Sequence, residues 1–230
     1  MQIVKETELK KVLDAMSDIM MDTSRFTIKH EVRRFLQCSY DIFSSWKAKL
    51  NSIALGTSNE NHFWDFFKDF LNECGNGSWS GMSRHKSEIY IQKSHLYNSI
   101  QKLLSAGSDL SKIVAIIRNI TDESSLNKIN GLTAFPLTAM IFALNEKNFM
   151  VLDNPVIEYF GFKGYGDALQ DYDKIIEKSR EYSERFNLSM WFVNKGYGIV
   201  SRHNMLGLKK LCGLCLPPRV RFYEYQFETV

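Results

Sequence analysis

Asp153 closes a short apolar run in the stretch "INGLTAFPLTAMIFALNEKNFMVLDNPV" (129–156) and stands directly before Asn154-Pro155. A carboxylate there has two readings. Asp followed by Asn-Pro is an ordinary way to open a helix, with the side chain accepting from a free N–H of the first turn. The alternative is a catalytic acid. A second set of candidates lies in "NECGNGSWSGMSRHK" (72–86), where Gly75, Gly77 and Gly81 surround a lone Trp79 and Arg84, His85 and Lys86 follow. Trp79 either folds back as a lid over the core or lines a ligand site, as loop residues on a rigid scaffold often do. Toward the end of the chain, Lys195, Arg202, Lys209, Lys210, Arg219 and Arg221 occur with no acidic residue between them, and Tyr197, His203 and Phe222 are interleaved or adjacent. This local excess points to nucleic-acid contact, the alternative being a solvated charged face. Cys212 and Cys215 have the spacing of half a zinc site. With no second pair close in sequence, no metal is expected.

The elements that must position these residues are helical. Of 230 residues, 44% are hydrophobic, which is ample for a sizeable core. The formal charge of +3, from 29 basic and 26 acidic residues, allows an anionic partner without requiring one. Four cysteines, widely and unevenly placed, do not make a disulfide framework and fit a reducing compartment. The opening "MQIVKETELKK" has no apolar core of signal-peptide length, so the expected location is the cytoplasm. The longest uncharged apolar stretch, 131–144, is shorter than a bilayer span and is interrupted by Thr133, Pro136 and Thr138, so no membrane span is expected.

Apolar spacing predicts a helix over 6–21 through Leu9, Val12, Leu13, Met16, Ile19 and Met20. A second, buried or broken in the middle, follows the Thr27 region and reaches Leu50, and a third carries the stripe of "HFWDFFKDFL" (62–71). Further helices are expected over 87–106, over 109–120 with Ser108 or Asp109 as cap, and over 164–186 as one amphipathic surface helix. The last forty or so residues are read as irregular, because Gly196, Gly198, Gly207 and Gly213 interrupt them and Pro217-Pro218 breaks them, with "RVRFYEYQFETV" a strand or extended tail. The expected fold is an all-α orthogonal bundle of roughly eight to ten helices over 1–195 with an irregular basic extension over 196–230.

Residues 129–144 also fit the frame of a helix-hairpin-helix element: an apolar residue, a turn at Gly131, then a helix with Thr138-Ala139. In such hairpins the turn's backbone N–H groups and the next helix N-terminus can hold a phosphate oxygen without reading base sequence. The hairpin is degenerate, since Thr133 replaces the usual second glycine and "AFP" adds length.

Taken together with "VLDNPVIEYF", this segment resembles the helix-hairpin-helix superfamily of DNA glycosylases, in particular divergent 8-oxoguanine glycosylase-like domains, over roughly residues 60–195. Similar domains occur with modified-DNA restriction systems. The resemblance implies that Asp153 matches the family's catalytic aspartate. Such a carboxylate stabilises the positive charge that builds on the sugar as an N-glycosidic bond breaks, and orients or deprotonates the attacking water. Bifunctional members add a hairpin lysine; here that region offers Phe135 or Pro136, and Lys128 precedes the turn, so a monofunctional enzyme without lyase activity is expected. A flipped base needs stacking faces and polar groups, for which Trp79, His85 and Tyr90 are the candidates. Phosphate contacts are expected from Asn130, Gly131 and Thr133 in the hairpin, from Arg84 and Lys86, and from Lys209, Lys210, Arg219 and Arg221. The implied partner is double-stranded DNA with a flipped base, with no cofactor and no membrane. The alternative is a catalytically silent module that reads modified or distorted DNA for a partner nuclease or ATPase.

Overall fold

The computed structural model describes residues 2–22, 33, 37, 40, 41, 44–57, 60–74 and 86–201; among them are eleven helices and no strand. The expected apolar stripes become buried faces. In α1 (Gln2–Met21), Leu9, Val12, Leu13, Met16 and Ile19 are fully buried. After α2 (Lys47–Ala54), α3 (Glu60–Cys74) buries Phe63, Phe67, Phe70 and Leu71, and the Trp46 ring meets Phe70 edge-on at 5.5 Å. Each such side chain contributes about 1.5–3 kcal/mol relative to exposure. The helix expected over 87–106 is two, α4 (Lys86–Ile91) and α5 (Lys93–Leu104), separated by Gln92 at φ −99°, ψ 19°. Then α6 (Leu110–Thr121) starts as expected at Asp109, whose carboxylate accepts from the Lys112 N–H at 3.0 Å, and buries Ile113, Ile117 and Ile120.

The second half begins with α7 (Ala134–Leu144), in which every residue from Ala134 to Ala143 is buried. A helix apolar all round belongs in the centre of a fold, and this one packs against α2, α5 and α6. Next come α8 (Asn154–Phe160), α9 (Tyr165–Gln170), α10 (Tyr172–Phe186) and α11 (Met190–Ser201). The single helix expected over 164–186 is thus broken at Asp171 (φ −110°, ψ 26°), which separates Tyr165 from Tyr172 and lets their side chains serve different neighbours. The packing falls into two groups: α2 and α3 gather on α5 while α6 and α7 join them, and α1 closes against α10 and α11, with α8 also packed on α11.

One boundary needs correction. Gly196 and Gly198 were expected to open an irregular extension at 196, yet both lie inside α11. The reason is packing. A Cβ on Gly196 would come 2.8 Å from Leu13 Cδ2 and 3.1 Å from Leu9 Cδ1, so the missing side chain is what lets α1 and α11 approach. The "RVRFYEYQFETV" segment lies outside the described residues. No described helix is long and apolar enough to cross a membrane.

Candidate functional site

Two irregular connections flank α7, and Asn130, Gly131, Thr133 and Asp153 sit on them. The first joins α6 to α7. Asp122 accepts from the Ser124 N–H (2.9 Å) and hydroxyl (2.8 Å), bonds that hold its carboxyl below the usual range. The Ser125 hydroxyl donates to the Asn119 carbonyl (2.6 Å), and the Asn127 amide donates to Asn119 Oδ1 (3.1 Å). The Ile129 N–H then returns to the Ile120 carbonyl at 2.9 Å. Gly131 takes φ +78°, a left-handed conformation that glycine adopts without strain, and this turns the chain into α7. Thr133 is the N-cap residue of α7, but its side chain makes no capping bond. The N–H groups of that first turn have no intrahelical acceptor, as at any helix start.

The second connection, 145–153, starts at the surface at Lys147 and then runs through the interior. Phe149, Met150, Val151 and Leu152 are all buried. An extended buried segment leaves peptide groups that must find partners, and side chains from three helices supply them. Thr138 of α7 accepts from the Leu152 N–H at 3.0 Å and donates to the Phe135 carbonyl at 3.0 Å. Tyr172 of α10 accepts from the Met150 N–H at 3.2 Å and donates to the carbonyl of the same residue. Asn194 of α11 donates to the Val151 carbonyl at 3.2 Å. Upstream, the Tyr40 hydroxyl donates to Glu146 at 2.7 Å; burial first, and this bond second, push that phenol up to about 12.

The segment delivers Asp153 to the start of α8. Asp153 is half-buried, has extended backbone (φ −103°, ψ 170°), and accepts from the Val156 N–H at 3.1 Å, with Pro155 in the first turn. It is therefore a helix cap, whatever else it does. At the other end, Gly161 at φ +78° stops α8, and the returning chain brings Tyr165 back beside the cap. The Tyr165 hydroxyl donates to Asn154 Oδ1 at 3.0 Å.

Tyr165 also lines an open groove of about 560 Å³ with Asn130, Gly131 and Thr133 of the first connection. That volume suits a small ligand. Its rim mixes Glu88, Asp122 and Glu123 with Arg118 and Lys128, so it is not a uniformly basic surface. Lys128, mostly buried, is ion-paired with Glu123. Leu132, Ala134 and Leu169 are the apolar residues of the lining.

The structure thus gathers Asn130, Gly131 and Thr133 on one groove, while Asp153, next in sequence to the Asn154 that Tyr165 bonds, is not on the groove lining. Tyr90 is on α4, but its half-exposed ring packs edge-on against Trp64 at 5.2 Å with Lys93 Nζ 5.0 Å from its centre; Glu88 is the α4 residue on the groove. Lys86 is the first residue of α4. Trp79, Arg84, His85, Lys209, Lys210, Arg219 and Arg221 lie outside the described residues, as do Cys212 and Cys215.

Tyr197 cannot join the expected basic-aromatic contact surface. It is fully buried, its hydroxyl meets Ser179 at 3.0 Å, and its ring lies 4.6 Å from that of Tyr159. Lys195 Nζ rests 4.0 Å over the Trp191 ring. Sequence reasoning missed Tyr165, Thr138, Tyr172 and Asn194. For Thr138 and Asn194, polar residues inside otherwise apolar helices were the available signal, because such groups require a partner when buried. Comparison with models of known protein families, with curated proteins and with solved structures found no match to this chain.

Proposed function

We propose that this protein is a monofunctional DNA glycosylase-like enzyme that excises a damaged or modified base, with Asp153 as its carboxylate. The observation that supports this reading is the placement of 150–153: Thr138, Tyr172 and Asn194, from three helices, fix the approach to Asp153 beside a groove lined by the hairpin residues. Catalysis by a single acid depends on such fixed placement, because a carboxylate stabilises developing positive charge without reorganising only when its position is set beforehand. In this mechanism the hairpin amides at Gly131 and Thr133 hold a phosphate, and Asp153 faces the sugar of the extruded nucleotide and orients water. The phosphate-holding role carries no base-sequence information.

A second reading has its own support. Asp153 already accepts from Val156 and is not on the groove lining, which suits a catalytically silent module that reads distorted DNA for a partner nuclease or ATPase. Asp153→Asn separates the two. It keeps the size and most of the capping ability of the aspartate. For the enzyme, DNA binding and melting temperature persist while base release falls by about 10²-fold or more. The parent leaves an abasic site whose strand breaks only on heating in alkali. The assay spans alkylated, oxidised and hypermodified bases. Equal release by parent and variant removes Asp153 from the mechanism; DNA binding with no release by either across the panel leaves the silent reader.

A further inference from the structure

Tyr165 belongs at once to the groove and to the cap. It lines the groove together with Gly131 and Thr133, and its hydroxyl, eleven residues downstream of its acceptor, bonds Asn154 Oδ1 at 3.0 Å. Asn154 is the first residue of α8, so this bond ties α9 to the turn whose cap is Asp153. Local geometry supports it from both sides: Gly161 stops α8 and reverses the chain, and the Lys163 N–H donates to Asp167 at 3.3 Å to shape the return.

We propose that Tyr165 is the positioning residue of this site, lining the groove with the hairpin residues and, through Asn154, holding the start of α8 so that the Asp153 carboxylate keeps its place. The inference rests on the reading of Asp153 as the active carboxylate. The phenol's own environment agrees with it: burial first, then the negative charge of Asp153, pushes it up to about 12, so at neutral pH it stays a protonated donor beside that carboxylate. A groove ligand that touches the ring is thereby coupled to the acid that acts on it, without Tyr165 touching the reacting bond.

The test uses the full chain with Tyr165→Phe, which keeps the ring and removes the hydroxyl, alongside Asn154→Ala and the double variant. Amide exchange is read at Val156, the donor to Asp153, and at Gly161, which bonds Ile157 at the far end of α8. Losing one hydrogen bond predicts about tenfold faster exchange at Val156 with Gly161 unchanged. Single-turnover base release, on whichever DNA of the panel the parent cleaves, is expected to drop about tenfold while affinity for that DNA stays within about twofold, because misplacing a catalytic group affects rate more than binding. The double variant loses no more than either single one, since both remove the same contact. Unchanged Val156 exchange overturns the proposal whatever the activity. So does faster exchange with parental release. Faster exchange in a protein whose parent cleaves none of the DNAs sinks the glycosylase reading while upholding Tyr165 as the residue that holds the Asp153 cap.

Discussion

The two connections that flank α7 solve the same problem in opposite ways. Between α6 and α7 the chain lies largely at the surface and is held mainly by residues within eight positions of one another, Asp122 by Ser124 and both Ser125 and Asn127 by Asn119, with His95 meeting the Asn127 carbonyl at 3.0 Å as the long-range addition. Between α7 and α8 it passes through the core and is held from far along the chain, by Tyr172 and Asn194 as well as by Thr138. Water can replace a lost partner in the first connection. It cannot reach residues 149–152 of the second, so each bond there guards a buried peptide group. A surface turn of the first kind can adapt to a ligand; the second kind fixes one geometry, and Asp153 is at its end.

The sharpest way to break this contrast is Tyr172→Phe. It orphans both the N–H and the carbonyl of buried Met150, and the expected loss is about 2–3 kcal/mol, read as a lower urea midpoint with unchanged slope. Thr138→Val, of similar shape, orphans the Leu152 N–H alone as a donor and is expected to lose about 1–2 kcal/mol by the same measurement. Asn119→Ala removes the side-chain acceptor of the Asn127 amide in the surface turn, and its effect should stay within about 0.5 kcal/mol. If it matched Tyr172→Phe, the distinction between the two connections would be wrong.

The smallest expected effect is one of pH. The Asp122 carboxyl lies below its ordinary value because the folded turn donates to its charged form. Its contribution is therefore complete above the unfolded value of about 4 and is lost as pH falls through the lower folded value. In an NMR acid titration the Ser124 amide resonance should move in that window, while the amides of Met150 and Leu152, bonded to hydroxyls, should not. Movement of all three together would mean that the acid loosens the whole region.

The difference between the connections also explains what was legible in the sequence. Helix stripes depend on spacing alone, and Leu9, Val12, Leu13, Met16 and Ile19 are buried as the spacing requires. Caps are local too: Asp109 is a cap, and Asp153 has the cap geometry that its Asn-Pro sequel announced. Gly131 sits at the turn with positive φ. What escaped was set by partners distant in the chain. Gly196 reads as a breaker until Leu9 and Leu13 are known to lie against it. Tyr165 and Tyr172 share one apparent stripe, and only the break at Asp171 sends one to the groove and the other to Met150. Spacing within a helix carries no information about which remote peptide group a hydroxyl will meet.

The closure of α1 over α10 and α11 has a consequence for synthesis. During translation α1 leaves the ribosome before everything between Met21 and Met190 has been made, and at about 5–20 residues per second its wait is on the order of 10 s. Throughout that interval Leu9 and Leu13 lack their α11 partner, because the notch left by Gly196 for α1 does not yet exist. The middle helices, whose contacts are nearer in sequence, can assemble meanwhile. The nascent chain thus carries the apolar stripe of α1 without its α11 partner until the last described helix arrives, which makes this stripe a place for a chaperone to hold.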